Sequence, residues 1–435
     1  MLILSIVMEL KTKQVDFTLA FVQAKLDPGT YIEMPRLFEE EGKVLELKRN
    51  LYGGRDAGAN FFNLLKEQLE KRGFRSSDTD ACLFINDETG CIMLVYVDDC
   101  ILFHKDEKVI DDMIADLEKP KDKDLHKFLI KVEADYAGFL GIDIRKNEDG
   151  TIELLQTGLI DRILTALNMI DEDVTTRLEP AAKEPLGKDV EGPQRKESWS
   201  YPSLIGMMLY LSSNSRPDIA YAVHSCCRFN HCARQSHEKG IKRIARYLKG
   251  TRTKGLIFDP HKELKLEMYC DADFAGLWNS ESKDDPVCVK SRTGIILTLG
   301  GIPIQWSSKL QSEIATSTMH AEYVALSQGM RELIPVKRQV DEICEVLEVI
   351  RDEETKLVKV HEDNEGAMNL ANSPLSKTTP HSKHYAVKYH WFREKLDDLK
   401  IKVIPVRSNF QKADIFTKGL QGADFKAKRK LIMGW

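Results

Sequence analysis

The sequence carries no overall excess of positive charge. Its 63 Lys and Arg residues are outnumbered by 68 Asp and Glu residues, so the net charge is −5 and the pI is about 6.2. Domains that bind nucleic acid over a broad face are usually basic. Bulk charge therefore gives no case for such binding, and any basic surface must be local. The hydrophobic share of 42% and the charged share of 30% are those of an ordinary globular protein.

Long hydrophobic runs and paired cysteines are also lacking. The N-terminal run LILSIVM has no basic residue before it and stops at Glu9, so we expect neither a signal peptide nor a membrane span. The nine cysteines are odd in number and scattered, and none forms a Cys-x-x-Cys pair. This pattern favours reduced thiols in the cytosol or nucleus. The length of 435 residues predicts two or three domains.

The stretch Cys91 to His104, CIMLVYVDDCILFH, predicts a buried hairpin with two acids at its turn. We expect a strand over Ile92 to Val97, a two-residue turn at Asp98 and Asp99, and a second strand. Adjacent carboxylates repel each other, and Asn-Gly or Asp-Gly would suit a purely structural turn better. Mg²⁺ removes the repulsion and keeps positions open for substrate phosphates. A solvated acidic turn is the alternative, but the apolar flanks favour a rigid site for phosphoryl chemistry.

Several blocks resemble the Pol polyproteins of copia-type retrotransposons. Tyr96-Val97-Asp98-Asp99 is similar to the YxDD signature of reverse transcriptases, and KQVDFTLAF (13–21), YIEMP (31–35) and LYG (51–53) are similar to further family blocks. The resemblance implies that Asp16, Asp98 and Asp99 are polymerase carboxylates that hold two Mg²⁺ ions, with Mn²⁺ as an alternative.

The same resemblance implies a nucleotide pocket. Its members are Phe21, which would lie under the incoming sugar, together with Arg55, Asp56 and Tyr96. Asp56 stands where the family usually has Gln, and Gly58 where it usually has Pro. An acid at this place repels a triphosphate unless a metal ion or Arg55 compensates.

The resemblance implies that residues 1–175 form a polymerase palm. Apolar spacing predicts a helix over 61–72 ending at Gly73, and a second helix capped by Asp106. Residues 1–13 resemble the end of a helix. The charged stretch 119–135 is interpreted as a surface insertion. Residues 139–144 are expected to form a strand that pairs with 151–155. Residues 176–200 are polar and proline-containing, which predicts a linker.

Residues 201–255 form a helical segment that resembles the family's thumb. From Arg234 to Lys254 there are eight Lys or Arg residues and one Glu. Beside a palm, contact with phosphates through Arg243, Arg246 and Lys249 is the favoured interpretation, and a solvated helix face is the alternative. The nearby His and Cys residues between 224 and 237 lack zinc-knuckle spacing, so a buried helix is favoured over a zinc site.

Residues 262–420 predict a separate domain with a mixed sheet and helices on its faces. The blocks YCDAD (269–273), HAEY (320–323), HEDN (361–364) and QKADIFTK (411–418) resemble the ribonuclease H of copia-type elements. Carried over residue by residue, the metal-binding carboxylates are Asp271, Glu322, Asp363 and Asp414, with Asp273 in a secondary role. The resemblance also implies that the hybrid is bound by Trp306, Lys309, Lys383 and His384. Residues 421–435 are expected to be a basic tail.

The combined expectation is an α+β multidomain protein. The resemblance implies a polymerase with ribonuclease H activity, acting on an RNA template, a DNA primer, an RNA–DNA hybrid and dNTPs, in a cytoplasmic particle or the nucleus. The family's fingers do not precede Asp16, so the chain is expected to be the C-terminal part of a longer precursor that also carries integrase and other Pol segments. A polymerase-inactive hybrid nuclease and a non-catalytic, nucleic-acid-binding relic are the alternatives.

Overall fold

The structure is a computed structural model and describes residues 1–133, 141–261, 263–374 and 389–435. The chain folds into two units. The first comprises Met1–Tyr136 and Val336–Ile350, and the second comprises Ala137–Pro335 and Arg351–Trp435. The finer predicted division into palm, linker, thumb and nuclease stays a prediction.

The first unit is built on a six-stranded sheet in the order β4-β5-β6-β7-β1-β8. Its elements in chain order are α1 (Leu2–Val7), β1 (Lys11–Phe17), α2 (Ala20–Gln23), β2 (Tyr31–Glu33), β3 (Val44–Glu46), α3 (Ala57–Glu70), β4 (Phe74–Ser76), β5 (Leu83–Asn86), β6 (Ile92–Tyr96), β7 (Asp99–His104), α4 (Glu107–Glu118) and β8 (Ile130–Glu133). The apolar faces of α3 and α4 join the inward side chains of the sheet in one core, which contains Phe61, Leu65, Ile110 and Val15. Burial of these faces drives the packing of helix on sheet.

Two of the predicted helices are confirmed. The first is α3, which begins four residues earlier than the predicted start at Phe61. The second is α4, where the side chain of Asp106 accepts a hydrogen bond from the backbone N–H of Lys108 and so caps the helix.

Three local expectations need correction. The hairpin turn consists of Val97 and Asp98, because Tyr96 pairs with Asp99 in the ladder, and Val97 adopts a left-handed φ of 59°. Residues 1–13 contain a short helix and the start of β1, not one helix. The supposed insertion 119–135 contains β8, which pairs with β1 because its backbone extends the sheet edge.

The second unit contains two sheets. One is three-stranded in the order β11-β10-β9, and the other is five-stranded in the order β14-β13-β12-β15-β16. The elements are β9 (Asp143–Lys146), β10 (Ile152–Leu155), α5 (Thr157–Ala166), α6 (Tyr201–Asn214), α7 (Ala220–Cys227), α8 (Gln235–Gly250), β11 (Leu256–Phe258), β12 (Leu266–Asp273), β13 (Arg292–Leu299), β14 (Ile302–Leu310), α9 (Thr318–Val346), α10 (Glu353–Lys356), β15 (Val358–Glu362), α11 (Glu365–Asn372), β16 (Ile401–Pro405) and α12 (Gly422–Met433). The residues of α9 from Val336 onward are assigned to the first unit.

The five-stranded sheet is mixed, as expected. β12 runs antiparallel to β13 and parallel to β15, and β15 runs parallel to β16. The predicted helical character of 201–255 is confirmed by α6, α7 and α8. The hairpin of 139–144 with 151–155 is confirmed for β9 and β10, while residues 139 and 140 lie outside the described residues.

One C-terminal expectation differs from the structure. The expected tail 421–435 forms α12, because Phe425, Ile432 and Met433 supply a buried apolar side. Upstream of it, a 3-10 turn spans Arg393–Lys395. Within the described ranges, none of the helices combines the length and apolar character that a membrane span requires.

Candidate active sites

The first group of acids lies where β1 meets the β6–β7 hairpin. Asp16 on β1 is directly opposite Asp99 on β7 in the antiparallel ladder. Asp98 occupies the hairpin turn, and its carbonyl oxygen accepts a hydrogen bond from the N–H of Phe17 at 2.9 Å. The fold therefore brings Asp16 to the hairpin that carries Asp98 and Asp99, more than 80 residues further along the chain.

The electrostatics of this group reflect crowded negative charge. Partial burial raises the pKa of the Asp16 carboxyl, and the charges of Asp98 and Asp99 raise it further, whereas Lys131 lowers it. A carboxylate whose pKa is raised by neighbouring carboxylates is suited to share a cation with them, because the cation removes their repulsion.

The four residues of the predicted nucleotide pocket lie in different local settings. The ring of Phe21 packs against the ring of Tyr52 with centroids 4.7 Å apart. Tyr96 lies exposed at the end of β6, and Arg55 and Asp56 lie exposed just before α3. Within the described residues neither Arg55 nor Asp56 forms a side-chain ion pair. The roles of these four residues stay predictions.

The second group of acids lies at one edge of the five-stranded sheet. Tyr269 on β12 pairs with His361 on β15 in a parallel register. Asp271 lies two residues further along β12, and Asp363 directly follows the last residue of β15. The carboxyl ends of parallel strands share one edge of a sheet, and α9 places Glu322 over the same edge. One oxygen from each of these three carboxylates lies within 4.8 Å of the others, and no other such group occurs among the described residues.

Burial disfavours the charged forms of the carboxyls in this second group. Asp271 and Glu322 are each only 4% exposed. Burial raises the pKa of both carboxyls; the charges of Glu362, Asp271 and Asp363 raise that of Glu322 further. The Glu322 Oε2 atom is buried and has no hydrogen-bond partner among the described residues. A buried, unpartnered carboxylate oxygen beside two further carboxylates fits a hard divalent cation such as Mg²⁺ or Mn²⁺.

Asp414, the predicted fourth ligand, is held differently. It lies in a 3-10 turn, and its two oxygens contact the Nζ atoms of Lys418 at 2.7 Å and Lys428 at 2.8 Å. The Lys418 Nζ atom is also 3.9 Å from Oδ2 of Asp271. The hydroxyl of Thr417 donates to that same oxygen of Asp271. Asp414 is therefore beside the three-carboxylate group but neutralised by two lysines.

The sequence interpretation missed Glu362. This side chain is 1% exposed, accepts a hydrogen bond from the N–H of Asn364 at 3.0 Å, and lies 3.4 Å from Sγ of Cys270. Burial raises the pKa of its carboxyl. The alternation of inward and outward residues along β15 indicates that Glu362 is buried, because Val358, Val360 and Glu362 occupy the inward positions.

The predicted nucleic-acid contacts lie in varied settings. Arg243 is 3.6 Å from Glu179, and the ammonium of Lys249 bonds the carbonyl of Asp171. The indole of Trp306 donates to the carbonyl of Ser212 at 2.7 Å. Further candidates are Arg246, which is half-buried; Lys309, which is exposed; and Lys383 and His384, which lie outside the described residues.

The His and Cys cluster contains a histidine that is satisfied by backbone groups. His237 is buried at the start of α8, where Nδ1 accepts from the N–H of Arg234 and Nε2 lies 2.8 Å from the carbonyl of Gly187. Both ring nitrogens therefore have protein partners.

Comparison with known proteins gives a family match over the first part of the chain. Residues 1–180 match the family model described as reverse transcriptase (RNA-dependent DNA polymerase). The chain is 30% identical over 437 residues to the retrovirus-related Pol polyprotein from transposon TNT 1-94 of Nicotiana tabacum. The aligned region covers 98% of this chain and 31% of that relative. This chain thus spans about a third of the relative's length.

Two further similarities complete the comparison. The putative transposon Ty5-1 protein of Saccharomyces cerevisiae is 30% identical over 326 residues, covering 73% of this chain and 100% of the relative. A solved structure of LC11-RNase H1 in complex with an RNA/DNA hybrid covers 35% of this chain and 94% of its own, with 16% identity and a TM-score of 0.24.

Proposed function

Since this chain belongs to the reverse transcriptase family of copia-type retrotransposon Pol polyproteins, we propose that it cleaves the RNA strand of RNA–DNA hybrids and carries a polymerase palm for RNA-directed DNA synthesis. The observation that supports the nuclease best is the close grouping of Asp271, Glu322 and Asp363. Buried carboxylates that repel one another are costly without a partner, and a catalytic cation accounts for that cost.

The nuclease residues have distinct proposed tasks. Mg²⁺ would be held by Asp271, Glu322 and Asp363, with Asp414 as a fourth member. In a two-metal arrangement the ions would activate water and stabilise the leaving oxygen of a phosphodiester. Thr417 holds Asp271 in place through its hydroxyl. Lys418 adds positive charge beside Asp271, where a scissile phosphate would bring negative charge.

The palm is proposed to carry the second activity. Asp16, Asp98 and Asp99 would hold the cations, and Phe21 would exclude a ribose 2′-hydroxyl from the incoming nucleotide. Unlike Asp271, Glu322 and Asp363, these three are not among the groups of described residues whose ligand atoms lie within 4.8 Å of one another. This difference favours the nuclease as the stronger activity of this chain.

The proposed partners follow from these activities. They are an RNA template, a DNA primer, their hybrid and dNTPs, within a longer Pol precursor that acts in the cytoplasm or nucleus. We propose that Arg243, Arg246 and Lys249 contact phosphates, which would make hybrid binding weaken as salt rises. Trp306, Lys309, Lys383 and His384 are proposed hybrid contacts of the nuclease domain.

A single labelled hybrid tests the proposal. The purified chain is incubated with Mg²⁺ and the hybrid, with and without dNTPs, and RNA cleavage and primer extension are measured together. We expect RNA cleavage and little or no extension. Glu322→Gln should abolish cleavage but leave hybrid binding, because the substitution removes a ligand charge with little change of shape. Glu394→Gln, at an exposed position, is the matched control.

Two results would contradict this order of activities. Robust primer extension without RNA cleavage would assign the activity to the palm. Neither activity in a well-folded sample that still binds the hybrid would instead favour a non-catalytic binding protein.

A further inference from the structure

A cavity of about 450 Å³ lies within the second unit, and the acids of the two carboxylate groups described above do not line it. It is enclosed by α7, α8 and the irregular segment 177–186. Its floor is formed by buried residues of the two helices, Tyr221, Ala222, Cys226 and Ile244. The volume is that of a typical small-molecule site, and an apolar floor with few polar groups is the usual lining of such a site.

The rim of this cavity is strongly basic. Arg177, Lys239, Arg243 and Arg246 line it, against one acid in the lining, Glu184. The lining charge is therefore 4 − 1 = +3 in a protein whose net charge is −5. Such a concentration of cations around an apolar floor indicates a ligand that is anionic at one end.

Two of these guanidinium groups have unmet hydrogen-bonding capacity. The Nε atoms of Arg243 and Arg246 are buried and lack a hydrogen-bond partner in the part of the chain that the structure describes. Burial lowers the pKa of Arg243, and the charge of Arg177 lowers it further, although Glu179 at 3.6 Å opposes the shift. An unsatisfied buried donor is costly, and an anion bound beside these side chains would relieve the repulsion between Arg177 and Arg243.

The cavity adjoins the nuclease group. Ala181, Tyr221 and Ala222 line both the cavity and a small crevice that extends to Lys418. Lys418 is the residue that contacts Asp414 and lies beside Asp271. A phosphate-bearing ligand near this edge is chemically consistent with a protein that handles nucleic acid.

We propose that this cavity binds a nucleotide. Its phosphate contacts the guanidinium groups of Arg243 and Arg246, and its base packs on the apolar floor around Tyr221 and Ala222. The ligand is either a free nucleoside monophosphate or the 5′-phosphorylated end of a strand. Binding requires neither a divalent cation nor cleavage, so the proposal is independent of catalysis. It assigns to a nucleotide two of the three basic residues that are proposed above to contact hybrid phosphates.

The probe is adenosine 5′-monophosphate, titrated into the full chain in EDTA by calorimetry. We expect saturable binding that Arg246→Gln weakens about tenfold or more, because a charge-assisted hydrogen bond is lost. Arg246→Lys should retain part of the affinity, since it keeps the charge. Arg162→Gln, at an exposed position of α5 outside the cavity, removes the same charge and should change nothing. Circular dichroism of each variant establishes that it is folded.

Further probes separate the two ligand sources. A DNA tetranucleotide with a 5′-phosphate that binds more tightly than the monophosphate, while its 5′-hydroxyl counterpart does not bind, would identify a strand end. Equal affinity for monophosphate and phosphorylated tetranucleotide would identify the mononucleotide. No saturable binding of either, or binding that the folded Arg246→Gln variant leaves unchanged, would overturn the proposal. Equal affinity for inorganic phosphate would refute the role of the apolar floor.

Discussion

The ammonium of Lys418 lies 2.7 Å from Oδ1 of Asp414 and thereby neutralises the acid that the family resemblance assigns as a fourth metal ligand. Lys428 contacts the other oxygen of Asp414 at 2.8 Å. The same Lys418 ammonium is 3.9 Å from Asp271. A fixed positive charge therefore borders the group of Asp271, Glu322 and Asp363, where it opposes a divalent cation.

Replacing Lys418 should strengthen divalent-cation binding to this group. Lys418→Met removes a positive charge close to Asp271, so we expect the affinity for Mn²⁺, measured by calorimetry, to rise about tenfold. Lys426→Met, an exposed lysine on α12, is the control and should leave the affinity unchanged. Equal or weaker Mn²⁺ binding by Lys418→Met would show that Lys418 does not compete with the cation.

The stability of the metal-free protein should fall as pH rises above the ordinary carboxyl range. Burial raises the pKa of Asp271, Glu322 and Glu362 in the folded state. A carboxyl with a raised folded-state pKa stabilises the fold fully below its unfolded pKa of about 4, and this stability is lost as pH rises toward the folded value.

Glu322→Gln tests this sign. The amide does not titrate, so the stability of the variant relative to the parent should increase from about pH 5 to about pH 8 in EDTA. The difference in the free energy of unfolding should grow by up to ~1.4 kcal/mol per pH unit, and the melting temperatures of the two proteins report it. Mg²⁺ should reduce the difference by binding the parent. Glu394→Gln, which is exposed, should show no such trend. A pH-independent difference would contradict the raised pKa of Glu322.

The hairpin acid Asp98 should be essential for DNA synthesis but not for binding. In a form of the protein that extends a primer, Asp98→Asn should abolish extension, because it removes ligand charge with little change of shape. Hybrid binding, followed by fluorescence anisotropy, should persist. Asp112→Asn on the exposed side of α4 provides the comparison. Extension near the parent's rate would reject the assignment of polymerase metal binding to this turn.

The C-terminal helix α12 should contribute to the stability of the second unit. Phe425 is 3% exposed, and its ring meets that of Tyr247 edge to face with centroids 5.7 Å apart. Phe425→Ala should therefore cost about 3 kcal/mol, because it leaves a cavity. Thermal unfolding measures the loss. Phe410→Ala, at a residue that is 53% exposed, should cost much less. Equal effects of the two substitutions would show that the packing of α12 does not contribute to the stability of the second unit.

The sequence by itself determined the family, the apolar strands around Asp98 and Asp99, the helices α3 and α4, and the strand-end position of Asp271. These features depend on the spacing of residues close together in the chain, which sets which face of a strand or helix is buried. The local alternation also marked Glu362 as an inward position, although its charge obscured that signal.

Only the tertiary structure decided how these acids are partnered. The pairing of Asp16 with Asp99 and the approach of Glu322 to Asp271 join residues that lie far apart in the chain. The contact of Asp414 with Lys428 joins two separate elements, a 3-10 turn and α12. The cavity under α7 and α8 likewise depends on how the segment 177–186 packs. Such contacts follow from the packing of whole elements and the burial of charge, which no short stretch of sequence encodes.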